Sequence, residues 1–121
     1  MDFPLQPLII PSGCRISKND FTTYNPEIDF TEERNLYNLT EDLLQIAFDY
    51  SNLLIDLGWY GEISTNDGEF YIHVIENENW DNPIRTEKSK SQKTITEKLE
   101  LLLLEIRESG KIKPVPNKVL W

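Results

Sequence analysis

Hydrophobic and polar residues alternate through the middle of the chain, in two runs that a turn signal separates. The first run places its large apolar side chains on one face of a strand, at Leu53, Ile55, Leu57, Trp59 and Ile63. The second run does the same with Phe70, Ile72 and Val74. Asn66-Asp67-Gly68 lies between them and has the composition of a tight hairpin turn. The pattern therefore predicts two antiparallel strands joined as a hairpin.

The last long apolar stretch follows helical spacing instead. Its stripe predicts a helix over residues 92–109 and consists of Ile95, Leu99, Leu102, Leu103 and Ile106. Candidate caps at its start are Ser89, Ser91 and Thr94, the last of which forms a capping-box pattern with Glu97. Gly110 ends the helix, and Pro114 and Pro116 prevent it from resuming. Because Leu101 and Leu104 widen the stripe, we expect the helix to be buried over more than half of its circumference.

Residues 39–57 are compatible with two structures. Apolar residues recur there at helical spacing, and Gly58 stands where a helix C-cap would, which favours one long helix. Asp49-Tyr50-Ser51-Asn52 instead has the chemistry of a turn, which favours a strand near 39–48 and a second strand from 53. We favour the two strands.

The remaining segments are short. Three prolines in residues 1–11 exclude a helix and predict an extended arm, and a first strand follows around Cys14 and Ile16, reaching toward Phe21. We interpret residues 24–35 as an acidic loop with at most one helical turn, residues 80–83 as a turn, residues 84–87 as a short strand, and residues 111–121 as a proline-punctuated tail against the body. The chain as a whole predicts a single α+β domain over 1–121, an antiparallel β-meander of four to six strands with a C-terminal helix packed on one face.

Charge is divided unevenly along the chain. Residues 1–83 carry 16 acidic and three basic side chains, a net charge of −13, whereas residues 84–121 carry five acidic and nine basic ones, a net charge of +4. The total of −9 repels nucleic acids and anionic membranes, and it favours basic protein partners. Few aromatic residues interleave the basic run from Arg85 to Lys98, so we interpret it as a solvated helix face that pairs partly with the acidic body.

Catalytic and metal chemistry find little support in the sequence. A single His73 and a single Cys14 cannot supply the about four ligands of a zinc site or an internal disulfide. We interpret Cys14 as a small buried residue and His73 as a surface or interface side chain. With 21 acidic residues, some pair of carboxylates will always lie at a workable distance, so a glycosidase-like pair has no specificity here. We therefore predict neither an enzyme nor a cofactor or metal site.

Membrane association is not expected either. No stretch approaches the ~20 apolar residues that a membrane-spanning helix needs. The first ten residues lack the basic region of a signal peptide and contain Pro4 and Pro7. We expect a cytoplasmic protein that is monomeric when free.

The polar face of the predicted hairpin holds the most distinctive group of side chains. It combines acids with aromatic residues along both strands and at the edge that follows: Asp56, Tyr60, Glu62, Glu69, Tyr71, His73, Glu76, Glu78, Trp80 and Asp81. Like charges crowded on one face cost stability, and Tyr and Trp beside acids are typical of an interface for a basic partner. Two interpretations stay open, a partner-binding face and the ordinary solvated face of an antiparallel sheet. The acids of residues 27–33 are a second candidate surface, whose orientation the sequence does not give.

Three stretches of the chain resemble a group of small bacterial proteins. They run from Pro7 to Gly13, from Glu41 to Gln45 and from Leu53 to Tyr60, and that group is similar to the immunity proteins of polymorphic and contact-dependent toxin systems. Cys14 departs from the pattern, in which Trp follows the Ser-Gly turn. The resemblance implies two strands over 39–57 and a protein that binds and blocks one toxin, often a basic nuclease. It implies no catalytic residues.

We therefore predict an immunity protein that covers the active site or substrate-binding surface of a cognate basic toxin. We expect neither a nucleic acid nor a membrane as a partner. In this hypothesis the carboxylates stand in for phosphates, and Tyr60, Tyr71 and Trp80 supply anchoring contacts. One alternative is a non-enzymatic structural or adaptor module of a phage or secretion assembly. Another is a small hydrolase with a carboxylate pair, which a deep pocket holding two close acids would favour.

Overall fold

Five antiparallel strands form one sheet in chain order in the computed structural model, which describes residues 3–48, 51–62, 64 and 67–109. The strands are β1 (Cys14–Asn19), β2 (Leu44–Phe48), β3 (Leu53–Tyr60), β4 (Glu69–Glu76) and β5 (Arg85–Ser89). Helices α1 (Pro26–Asp29) and α2 (Glu32–Asn38) lie between β1 and β2, and α3 (Gln92–Ser109) follows β5. This arrangement confirms the predicted α+β meander with a C-terminal helix packed on one face.

The alternative of one long helix over 39–57 is wrong. Residues 44–48 and 53–60 pair as β2 and β3, with Ile46 opposite Ile55. Before β2, residues 40–43 also bind β3 without being a strand, because Trp59 donates its backbone N–H to the Thr40 carbonyl at 2.8 Å. The helical spacing of the apolar residues arose from two strands that both bury every second side chain.

The interpretation of residues 24–35 as a loop is also wrong, since two short helices occupy it. Asn25 caps α1 by accepting the Glu27 backbone N–H at 3.0 Å, and Pro26 takes the first helical position. Thr31 caps α2 by accepting the Arg34 backbone N–H at 3.2 Å. These two caps stabilise helix starts that the acidic composition alone did not reveal.

The core lies between the sheet and the elements that cover one of its faces. On β3 and β4, all seven of the described residues that were predicted to point inward are buried: Leu53, Ile55, Leu57, Trp59, Phe70, Ile72 and Val74. Helix α3 packs against β4 and β5 through its predicted stripe, all five members of which are buried. Ser91 caps this helix by accepting the Thr94 backbone N–H at 3.1 Å, so Thr94 lies inside the helix and its capping-box role was a wrong prediction.

Helix α3 is buried over less of its circumference than expected. Leu101 is 65% exposed and Leu104 is 43% exposed, because the sheet contacts the opposite side of the helix. Both leucines line a groove of about 530 Å³ together with Ile9, whose backbone N–H donates to Glu100 Oε2 at 3.1 Å. The far side of α3 thus carries an apolar strip, which we define as Ile9, Leu101 and Leu104.

The N-terminal residues from Phe3 onward run along the body without helical structure. Thr23 donates its backbone N–H to the Pro4 carbonyl at 3.0 Å, and the backbone N–H of Gln6 donates to the Phe21 carbonyl at 2.9 Å. The Phe3 ring meets the ring of the buried Tyr24 edge to face, with centroids 5.0 Å apart. These contacts fix the segment against the residues that follow β1.

Some predicted features fall on parts of the chain that the structure does not describe. They are the inward side chain of Ile63, the first residue of the turn signal at Asn66, and the tail 111–121. Within the described ranges, no helix combines the length and the apolar character that crossing a membrane requires.

Candidate partner-binding face

The sheet presents a second face on the side away from α3, which we call the outer face. Strand alternation and the pairing register place on it Arg15, Lys18, Gln45, Ala47, Leu54, Asp56, Gly58, Tyr60, Glu69, Tyr71, His73, Ile75, Thr86 and Lys88. In the described part of the chain no helix packs against this face. Five of the residues predicted as a binding site therefore share one surface: Asp56, Tyr60, Glu69, Tyr71 and His73. Glu62, Glu78, Trp80 and Asp81 lie beyond the ends of the strands. The prediction was wrong for Glu76, because this last residue of β4 pairs with the core-facing Leu53 and alternation directs it to the other face.

Aromatic rings form a continuous cluster at the centre of the outer face. Tyr60 meets Tyr71 edge to face with centroids 5.5 Å apart, and it meets the His73 ring at 6.0 Å. Tyr71 and His73, two residues apart on β4, stack with centroids 5.8 Å apart. All three side chains are half-buried. Such rings lose little conformational entropy when a partner covers them, because their neighbours already hold them in place.

Asp56 lies under this cluster and departs from the prediction. We expected an exposed carboxylate, but the residue is only 4% exposed. Asp56 pairs with His73 across β3 and β4, and its Oδ1 accepts a hydrogen bond of 3.0 Å from Gln45 Nε2 on β2. The side chains on either side of it in the sheet, rather than a second layer of the fold, remove it from water.

Glycine at position 58 brings two further acids to the outer face. A Cβ atom at Gly58 would overlap the backbone carbonyl of Glu41, so only glycine lets residues 40–43 cross the strand here. The crossing places Glu41 and Asp42 close enough to Tyr60 for their charges to raise the pKa of its hydroxyl. Glu41, Asp42 and Gln45 were not predicted as site residues, although alternation within β2 would have placed Gln45 on this face.

Burial governs the ionisation of the central groups. It raises the pKa of the Asp56 carboxyl, an effect that the Gln45 hydrogen bond opposes and the charge of Asp42 reinforces. Burial also raises the pKa of Tyr60, and Asp56 adds to that shift. It lowers the pKa of His73, with Asp56 acting in the opposite direction. His73 is therefore neutral at neutral pH, and the electrostatic potential around Tyr60 is negative.

The same residues form an open pocket, which we call the Asp56 pocket. It encloses about 460 Å³ and is lined by Asp42, Gln45, Asp56, Tyr60, His73, Ile75, Trp80 and Pro83. Trp80 reaches the pocket from the turn between β4 and β5 and is 50% exposed. It also borders a second depression on its other side, together with Ala47 and Leu54. Trp80 is therefore a ridge between two hollows of the outer face.

The other predicted site residues lie at the rim. Glu62 follows β3, and Glu76, Glu78 and Asp81 surround the turn after β4; all four are exposed. Within the described ranges, none of these four makes an ion pair. Glu69 is half-buried opposite Tyr60, and its Oε1 lies 3.9 Å from Lys88 Nζ. The four rim acids are thus not neutralised by an ion pair within the described part of the chain.

Two basic residues of the C-terminal segment, Arg85 on β5 and Lys98 on α3, are by contrast paired with acids of the same segment. Arg85 bonds Glu87 at 2.9 Å and Glu105 at 3.5 Å, and Lys98 Nζ lies 3.5 Å from the second oxygen of Glu87. These pairs lie on the side of β5 that faces α3. The predicted pairing with the acidic body is present in the Lys88–Glu69 contact, and Arg15 and Lys18 on β1 add two cations to the outer face.

The second candidate surface, residues 27–33, is separate from the outer face. Glu27, Glu32 and Glu33 are exposed on α1 and α2. No hydrogen bond or ion pair among the described residues joins them to the outer face. The structure therefore does not bring the two acidic regions together into one site.

Two kinds of chemistry are available to the Asp56 pocket. Asp42 and Asp56 both line it, and carboxylate-pair hydrolysis needs two such acids, held at a defined separation. Acidic groups beside aromatic rings also bind cations, and the outer face already holds one in this way, since Lys88 Nζ lies 5.9 Å from the Tyr71 ring centroid. Among the described residues, no group of three or more His, Cys, Asp or Glu side chains is arranged to hold a metal ion.

Comparisons of the chain with protein-family models, with curated proteins and with solved structures find no match. The resemblance to immunity proteins therefore stays an expectation from the sequence.

Proposed function

We propose that the protein is an immunity protein that neutralises a cognate basic toxin, a nuclease being the partner that fits best, and that the outer face is its binding surface. The observation that carries this proposal is the burial of Asp56 on a face that no helix of the described chain covers. A buried carboxylate with one hydrogen bond is costly in the free protein. A basic partner would compensate that cost on binding.

The distribution of aromatic rings and charges supports the same function. Protein interfaces concentrate their binding energy in a few aromatic anchors that a polar rim surrounds. Tyr60, Tyr71 and Trp80 are such anchors here, and the exposed acids Glu62 and Asp81 belong to the rim. An acidic rim accelerates encounter with a basic protein and sets its orientation. The surface of a nuclease that binds phosphates has the complementary charge.

Charge reversal at the rim tests the proposal. The protein is co-expressed with the product of the adjacent gene, and growth, co-purification and affinity at two salt concentrations are measured. We expect the double variant Glu62→Lys with Asp81→Lys to bind at least about 10-fold more weakly and to show a smaller dependence on salt, because rim charges act through long-range attraction.

The matched control changes the same charge on α3, through Glu97→Lys with Glu108→Lys, two exposed residues. It alters the net charge equally but leaves the outer face intact. We expect it to stay within about 3-fold of the unmodified protein. Equal losses in both variants would show that net charge alone attracts the partner and would overturn the outer face as the binding surface.

A second function is favoured by the apolar strip on α3. The groove beside Leu101 and Leu104 is the kind of surface that an adaptor presents to another subunit of an assembly, such as a phage or secretion component. In that case substitutions on the strip would abolish assembly, whereas the rim variants would have no effect. A tail or portal gene beside this one would also favour the adaptor.

A further inference from the structure

The Asp56 pocket has the features of a receptor for a single cationic side chain. Asp56 is more than nine-tenths buried and lies among the residues that line an open hollow. Its only hydrogen bond among the described residues comes from Gln45, and it takes part in no ion pair there. An ionised carboxylate has about four acceptor sites, so most of its capacity is left for a ligand. Asp42, on the wall of the same pocket, supplies a second carboxylate.

The walls of the pocket favour a planar cation. Tyr60, His73 and Trp80 contribute flat rings to its lining. A guanidinium group stacks on such rings, presents five donors in one plane and gives up its water more readily than an ammonium group does. Because burial lowers the pKa of His73, its imidazole is neutral near pH 7 and does not repel a cation. The volume of about 460 Å³ falls within the roughly 300–1,000 Å³ that is usual for small-ligand sites.

We propose that the Asp56 pocket binds an arginine side chain of the partner, with the guanidinium on the Asp56 carboxylate and against the rings of Tyr60 and Trp80. This inference rests on the proposed function, because it assumes that a basic protein docks on the outer face. It goes further by assigning one residue type on the partner and one recognition pocket on this protein. It also gives Asp56 a role in binding that explains its costly position.

Small amino-acid amides test the pocket without any partner. N-acetyl-arginine amide is titrated into the full chain, and the NMR signals of the Gln45 side-chain amide and the His73 ring are followed. We expect saturable shifts of both with a dissociation constant in the millimolar range, since a single side chain makes few contacts. N-acetyl-lysine amide should bind at least about 3-fold more weakly, and the neutral isostere N-acetyl-citrulline amide at least about 10-fold more weakly.

Two variants keep the test decisive. Asp56→Asn retains an oxygen for the Gln45 hydrogen bond but removes the charge, and it should weaken arginine-amide binding at least about 10-fold. Asp42→Asn should weaken it less, by about 2- to 5-fold, because that carboxylate is exposed to water. Equal binding of the arginine and citrulline amides would overturn the inference even if a variant failed to fold. So would the absence of any saturable shift, or full binding by folded Asp56→Asn.

The results separate this inference from the function on which it rests. If the partner binds the outer face but the arginine amide does not bind, only the pocket assignment fails. If the arginine amide binds and the adjacent gene product does not, the pocket stands and the toxin-neutralising function fails. Equal binding of the lysine and arginine amides would overturn the preference for guanidinium.

Discussion

The two faces of the sheet are built from the same strands, but one is an apolar core and the other is polar and partly exposed. On the face toward α3, β3 and β4 contribute aliphatic and aromatic side chains that the fold buries completely. On the outer face the same strands contribute Asp56, Tyr60, Tyr71 and His73, which neighbouring strands and the turn carrying Trp80 shield from water, without a covering helix in the described chain. The first face is complete within the described chain. On the second face the buried Asp56 carboxylate makes no ion pair within the described chain, as we expect of the proposed binding surface.

The largest expected effect removes the packing that completes the covered face. Leu99→Ala on α3 deletes a fully buried side chain and should lower the free energy of unfolding by about 2–5 kcal/mol, through lost burial and the cavity left behind. Leu101→Ala on the same helix is the matched control and should change it by less than about 0.5 kcal/mol, because Leu101 is mostly exposed. Urea denaturation measures both. Equal losses would mean that α3 packs through a different side.

A smaller effect is expected where the chain crosses the outer face. Gly58→Ala places a methyl group against the Glu41 carbonyl, and the crossing residues have to move. We expect a loss of about 1–3 kcal/mol in urea denaturation, which is the range for overpacking. Burial and the charge of Asp56 contribute most to the raised pKa of Tyr60, and Glu41 and Asp42 add to it, so the variant should also lower this pKa part of the way toward its ordinary value, as followed by NMR. An unchanged Tyr60 titration would contradict this placement of the two acids.

Removing the buried charge of Asp56 should stabilise the protein, whereas removing a buried side chain from the covered face destabilises it. Asp56→Asn is expected to raise the free energy of unfolding at pH 7 by about 0.5–2 kcal/mol, since residues kept for binding commonly oppose stability. The pKa of Asp56 is raised in the folded state, so the folded protein binds its proton more readily than the unfolded chain does. The advantage of the variant should therefore shrink as the pH falls through that raised pKa, and vanish below 3.8. A variant that is less stable at pH 7 would show that Asp56 has a structural partner.

The smallest effect concerns His73 and has the opposite sign. Burial lowers the pKa of His73, so below pH 6.5 the unfolded chain takes up a proton that the folded protein resists. Relative to His73→Gln, the unmodified protein should lose stability as the pH falls from 6.5 to the lowered pKa, by less than about 1 kcal/mol. Urea denaturation at several pH values measures the difference. A constant difference over that interval would mean that His73 is as solvated in the folded protein as in the unfolded chain.

Much of the fold could be predicted because the apolar residues follow two clear spacings, every second residue in the strands and helical spacing in α3. Alternation predicted which residues of β3 and β4 face the core, and the helical stripe predicted how α3 seats on the sheet. Leu101 and Leu104 were wrongly predicted to be buried, because they are leucines like the members of the stripe. The geometry of the sheet, which the sequence does not show, decides which side of the helix is covered. The helices α1 and α2 were missed because their starts depend on two local caps, Asn25 and Thr31.

The sequence predicted which strand residues share the face of the candidate site better than it predicted their burial and the segments that surround them. Alternation placed Tyr60, Tyr71 and His73 on one face, as found. It could not show that Asp56 is buried, because that depends on rings contributed by a neighbouring strand and on a turn that carries Trp80. Nor could it bring in Glu41 and Asp42, which reach the face through a crossing at Gly58 that no short motif encodes.

The decisive measurement compares the two candidate binding surfaces, the outer face and the apolar strip, in one binding assay. The affinity of the adjacent gene product is determined by calorimetry for Tyr60→Ala with Tyr71→Ala on the outer face, and for Leu101→Ala with Leu104→Ala on the apolar strip of α3. We predict a loss of about 2 kcal/mol or more for the tyrosine pair, as anchors of an interface give, and a loss below about 0.5 kcal/mol for the leucine pair. The reverse order of losses would contradict the outer face as the site of binding.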